Sequence, residues 1–125
     1  MNLPSNLKYS ASHEWVKVEG DLVVVGITDF AQKELGDLVF INLPNLDDEV
    51  SAGEPFADVE SVKAVSDIIS PVSGVVAEVN EELLDKPELI NDNAYEAWII
   101  KVKNAAGMEN LLSAEQYNDL ISKEG

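Results

Sequence analysis

The chain alternates short apolar runs with turn-forming residues. Leu22–Ile27 (LVVVGI) is rich in β-branched residues and predicts a strand. Thr28 follows as an N-cap, Asp29 falls in the first turn and Gly36 stands as a C′ residue, so a short helix is expected from Asp29 to Leu35. Leu38–Ile41 predicts the next strand and Pro44–Asp48 a loop. Pro55–Val62 and Ala64–Ile69 predict two strands around a turn near Lys63. Ser70–Gly74 (SPVSG) is a second turn signal, with a strand at Val75–Val79 behind it. Glu81–Asn93 is polar, is broken by Pro87 and reads as loop. Ala97–Val102 (AWIIKV) predicts a last strand. Ser113 and Gln116 form a capping box, Leu112 and Tyr117 suit a hydrophobic staple, and Tyr117, Leu120 and Ile121 make an apolar stripe. A helix at about 113–122 is therefore expected.

Short strands between turns, with one early and one C-terminal helix, predict a mainly β fold: a small barrel or sandwich with helical decoration. No linker, low-complexity tract or clear repeat divides the chain. Its 125 residues are about one domain's worth, so residues 1–125 are expected to form a single domain.

Charge and composition then remove whole classes of function. There are 24 acids against 8 basic residues, all of them lysines, for a net charge of −16. Such a surface repels phosphate backbones and anionic lipid, so no nucleic acid or membrane partner is expected. No apolar run approaches the ~20 residues of a membrane helix. Cysteine is absent, which excludes disulfides, a thiolate nucleophile and a Cys-based metal site. His13 is the one histidine; beside Trp15 it reads as a packed structural residue, and Trp15 and Trp98 read as core. A free-standing enzyme and a metal centre are not expected. Met1–Leu7 carries no targeting pattern, which points to the cytoplasm of a bacterium, or to the mitochondrial matrix if a transit peptide has been removed.

The candidate chemistry lies in residues 57–79, ADVESVKAVSDIISPVSGVVAEV. A turn places the amine of Lys63 in solvent at the edge of a sheet, the presentation a lysine-modifying enzyme needs. Such an amine is protonated and a poor nucleophile, so the enzyme must supply the activated acyl donor. Spacing alone favours an ordinary solvated turn lysine.

The residues ESVKAVSD (60–67), with SPVSG after them, resemble the lipoylation site of glycine cleavage H proteins. The resemblance extends to SHEWV (12–16), GITDFAQ (26–32), Leu35-Gly36-Asp37, Val39-Phe40, Leu43-Pro44, Gly53, Lys86-Pro87, Leu89-Ile90-Asn91, Tyr95 and Trp98. It covers nearly the whole chain and implies a flattened hybrid of barrel and sandwich with lipoic acid attached covalently to Lys63 on a hairpin. Glu60, Ser61, Val62 and Ala64 would be read by the lipoate-attaching enzyme. Ser12, Glu14 and Asp67 match positions that line a cleft for the loaded arm. A carboxylate there would favour a protonated amine and a hydroxyl would add a hydrogen bond; composition alone would leave both acids as solvated surface. The resemblance implies a carrier that is not itself a catalyst, in glycine catabolism and one-carbon metabolism. It would take an aminomethyl group from a pyridoxal-phosphate glycine decarboxylase to a tetrahydrofolate-dependent aminomethyltransferase, with reoxidation by dihydrolipoyl dehydrogenase. A monomer is expected.

The sequence departs from the family pattern in places. Ala94-Tyr95-Glu96-Ala97-Trp98 lacks the usual Pro and Gly and is one residue shorter, Asp47-Asp48 replaces a Gly-containing turn, and Ala57 stands where Gly is common. Two other carriers share the hairpin logic. Biotin domains place their lysine between methionines, whereas the neighbours here are Val62 and Ala64, and the methionines are Met1 and Met108. The lipoyl domains of 2-oxo acid dehydrogenase acyltransferases lack the SHEWV and GITDFAQ blocks. An H-like protein that relays lipoyl groups to other complexes, or an unmodified interaction module, would present the same hairpin.

Overall fold

The protein is described by a computed structural model covering residues 3–124. Met1 and Asn2, the start of the Met1–Leu7 stretch, and Gly125 lie outside the described residues. In chain order the elements are β1 (Lys8–Tyr9), β2 (Glu14–Glu19), β3 (Leu22–Ile27), α1 (Asp29–Leu35), β4 (Leu38–Asn42), β5 (Glu49–Val50), β6 (Pro55–Ser61), β7 (Val65–Ile69), β8 (Ser73–Val79), α2 (Glu82–Asp85), α3 (Leu89–Asp92), β9 (Ile100–Ala106) and α4 (Ala114–Glu124). One six-stranded sheet runs β1-β2-β3-β9-β8-β5 and one three-stranded sheet runs β4-β6-β7. The paired strands are antiparallel.

Strand alternation explains how the layers are filled. Along β3, Val23, Val25 and Ile27 point into the main core with Val16, Ile41, Val59, Ile68 and Val102. Val24 points the other way, into a second cluster with Tyr9, Trp15, Tyr117 and Ile121. Each such buried apolar side chain contributes about 1.5–3 kcal/mol relative to leaving it in water. Helix α4 covers this second face, and the rings of Tyr9 and Tyr117 stack at 4.9 Å. Gly26 sits opposite Trp15 in the β2–β3 register, and a Cβ there would fall 2.6 Å from the indole, so only glycine admits the ring.

The expected mainly β class, early helix and C-terminal helix are all observed. Thr28 caps α1 by accepting from Ala31 N, and Gly36 closes it at φ +85°. The Ser113–Gln116 capping box forms in both directions, at 2.9 and 3.2 Å. Three expectations need correction. The Glu81–Asn93 loop contains two one-turn helices, α2 and α3, because Leu83 and Ile90 are drawn fully into the core. The strand expected from Ala97 begins at Ile100 and runs on to Ala106, since Ala97 N is engaged by Asn93 O in a turn. Trp98 is half-buried rather than core, with the Lys101 amine 4.9 Å above its ring.

The departures from the family pattern are accommodated locally. Asp47 takes the left-handed φ of +70° that a glycine would adopt freely, a conformation that aspartate tolerates. Ala94 is buried, and its carbonyl accepts the Trp15 indole N–H at 3.0 Å.

Candidate functional site

The lysine hairpin is ordered from within. Strands β6 and β7 pair up to Glu60 and Val65, and Ser61 N donates to Ala64 O at 2.8 Å. The Ser61 hydroxyl accepts from Lys63 N at 3.2 Å and Ala64 N at 3.1 Å. Val62 N donates to Asp37 O at 3.0 Å, tying the tip to the residue before β4. Lys63 is exposed and takes part in none of the ion pairs found among the described residues. Glu60 and Ser61 are half-buried beside it, and Val62 and Ala64 are exposed.

A cleft of about 290 Å³ opens between the start of β2, helix α1 and strand β7. Ser12, Glu14 and Asp67, far apart in the chain, all line it. Phe30, Leu35 and Val59 supply apolar wall, and Glu34 and Glu124 add further acids. Lys63 is not in the wall. It sits just before the start of β7, four residues from Asp67, a path of about 13 Å at ~3.3 Å per residue.

Glu14 is only 3% exposed because it shares the inward face of β2 with Val16. The hydroxyls of Ser10 and Ser12 each donate to its Oε1 at 2.6 Å, and its backbone N–H donates to Ser10 Oγ. Burial pushes its pKa up from 4.5 to about 7, against the lowering pull of the two hydroxyls and the Ile69 backbone. Asp67 is exposed and lines the same cleft from β7. The cleft therefore presents two carboxyl groups, one buried and one exposed, to a cationic group.

The chain matches the glycine cleavage H-protein family over residues 7–124. The chain belongs to this family. It is 60% identical to the glycine cleavage system H protein of Halalkalibacterium halodurans, over 98% of each chain. It is 56% identical to that of Geobacillus sp. strain WCH70 over the full length of both. A crystal structure of the glycine cleavage system H protein from Mycobacterium marinum superposes with a TM-score of 0.88 at 42% identity, covering 95% of this chain and 98% of that one. As a glycine cleavage H protein the chain is a lipoyl carrier of aminomethyl groups, a component of the glycine cleavage system working with its partner proteins. These relatives are bacterial, and among the described residues no helix is long and apolar enough to cross a membrane.

Some residues of the site were not visible in the sequence. His13 was expected to be structural. It is, through Nδ1 to the Tyr117 hydroxyl at 2.8 Å and Nε2 to Glu124 at 3.2 Å, yet it also lines the cleft. Ser10 and Glu124 carried no motif that pointed to them. Asn91 stood inside the family block without a role, and the structure places its amide against the α1–β4 corner.

Proposed function

We propose that Lys63 is the lipoyl attachment site, that residues 1–125 act as one carrier domain, and that Ser12, Glu14 and Asp67 receive the loaded arm. The observation that carries this reading is the pairing of an exposed lysine on an ordered hairpin, outside the ion pairs found among the described residues, with a cleft along the adjoining strand β7 that holds a buried carboxylate. The residues suit such a group: the tip is free for an acylating enzyme, and the cleft is at the small end of the ~300–1,000 Å³ range of ligand pockets.

When bound, the lipoyl group supplies a dithiolane that accepts and hands on the aminomethyl group. The chain supplies presentation and shelter. Glu60, Ser61, Val62 and Ala64 form the face that the lipoate-attaching enzyme reads. Glu14 faces the amine and favours its ammonium form, whose nitrogen lone pair is then unavailable for elimination. The Ser10 and Ser12 hydroxyls hold the carboxylate in place, Asp67 adds a second negative charge, and Phe30 and Leu35 limit access of water. The partners of this reading are the pyridoxal-phosphate glycine decarboxylase, the tetrahydrofolate-dependent aminomethyltransferase and dihydrolipoyl dehydrogenase. The carrier meets them as a monomer in the bacterial cytoplasm.

The intact mass of protein from lipoate-fed cells is the direct test. One lipoyl addition is expected, with trypsin failing to cut after Lys63, and Lys63→Arg should abolish both the addition and glycine-dependent activity. An unmodified Lys63 in cells that lipoylate other proteins would sink the reading.

A further inference from the structure

We propose that Asn91 is a positioning residue for the lysine arm: its side-chain amide clamps the Gly36–Leu38 corner, and that corner aims the stem of Lys63 across Gly36 toward the cleft. The inference rests on Lys63 as the attachment site and concerns what directs the arm from it.

The clamp engages the corner at three points. Asn91 Nδ2 donates to Gly36 O and to Gln32 Oε1, both at 2.9 Å, and Asn91 Oδ1 accepts from Leu38 N at 2.9 Å. One side chain from α3 therefore fixes the last turn of α1, the bend and the first residue of β4. Asn91 supplies both donors and the acceptor, a set that neither aspartate nor leucine can match.

The clamped corner touches the arm twice. Asp37 O accepts from Val62 N at 3.0 Å, which fixes the hairpin tip. The stem of Lys63 lies over Gly36: a Cβ on residue 36 would sit 3.1 Å from Lys63 Cε and 3.7 Å from Nζ. Residues Glu34 and Leu35, immediately before Gly36, line the cleft. A stem laid across Gly36 is thus directed along the end of α1 onto the cleft wall. At φ +85° this position already favours glycine, and its missing side chain leaves the track open.

The test compares wild type with Asn91→Asp and Gly36→Ala. Asn91→Asp keeps the acceptor for Leu38 N and loses both donors, setting a carboxylate against two carbonyl oxygens. In unmodified wild type, NMR should show a nuclear Overhauser effect between Gly36 Hα and Lys63 Hε. Folded Asn91→Asp should lose it while Lys63 is still lipoylated to completion, and the loaded arm should decompose several-fold faster in the absence of partners. Asn91→Asp with the Overhauser effect and arm lifetime of wild type overturns the proposal and makes Asn91 a stability residue only. If Asn91→Asp does not fold, Gly36→Ala decides, because its methyl group crowds the Lys63 stem at 3.1 Å and its φ of +85° strains the corner, disturbing the track while leaving Asn91 itself unchanged. A shortened arm lifetime in Gly36→Ala supports the proposal, and an unchanged one overturns it. Absence of lipoyl from wild-type Lys63 would defeat the attachment reading instead, and the Overhauser comparison on unmodified protein would remain separately readable.

Discussion

Glu14 occupies a position where a carboxylate is costly and neutral acid is favoured. The group is buried, and the hydroxyls of Ser10 and Ser12 offset only part of the lost hydration, so its pKa rises to about 7. Between about pH 4.5 and 7 the folded chain binds a proton at this site that the unfolded chain does not. Stability therefore falls as pH climbs through that window, and the loss, about 3 kcal/mol, is complete above it. Glu14→Gln keeps an acceptor for both serines and removes the charge. Its stability relative to wild type should grow between pH 5 and pH 8 in urea unfolding; a difference independent of pH would mean that the carboxylate is well hydrated. If Glu14 receives the loaded arm as proposed, the same variant should release its aminomethyl group sooner, because a neutral amide does not hold an ammonium. The identity of this residue was legible only through the SHEWV block, since nothing in a chain of 24 acids singles out the one that β2 turns inward.

The elements that the sequence disclosed are those with local causes. Helix α1 is one: Thr28, Asp29 and Gly36 act within a few residues of the backbone they cap. Thr28 also has a long-range duty that no local pattern carries. Its hydroxyl bonds Ala31 N at 3.2 Å and the Tyr117 hydroxyl at 2.7 Å, which fastens α4 to the start of α1. Thr28→Ala should cost about 1–3 kcal/mol, combining a lost cap with a weakened buried hydroxyl network, and should lower Tm by several degrees. Thr28→Ser should recover most of the loss, and calorimetry of the pair would show whether the hydroxyl or the methyl group matters. Elements with distant causes were not legible. Strands β1 and β5 have two residues each, too few for any period, and exist because β2 and β8 offer edges to pair with. Helices α2 and α3 follow from single anchors, Leu83 and Ile90, set in polar sequence. The hairpin at Lys63 was legible in outline, while its bond to Asp37 needed the whole fold.

At the scale of the molecule, one net charge serves two processes that salt should separate. The chain carries a net charge of −16, and Glu34, Asp67 and Glu124 concentrate acids at the cleft proposed to receive the arm. Partners with basic rims should be drawn to it from beyond contact, with an encounter rate that falls as the screening length shrinks from ~10 Å at 0.1 M to ~3 Å at 1 M. On the proposed reading, an amine in the cleft meets Glu14, a buried carboxylate whose short-range attraction salt barely screens. Raising the salt from low to molar concentration should therefore slow aminomethyl transfer between partners roughly tenfold or more, while the lifetime of the isolated loaded carrier stays nearly constant. Stopped-flow transfer and ammonia release, measured on one preparation across the salt series, give both quantities. A transfer rate insensitive to salt would mean that apolar surface, such as the exposed Val62 and Val65 beside the lysine, governs the encounter. A lifetime that falls in step with transfer would mean that the cleft is open to bulk ions and that Glu14 protects its cargo by screened attraction alone.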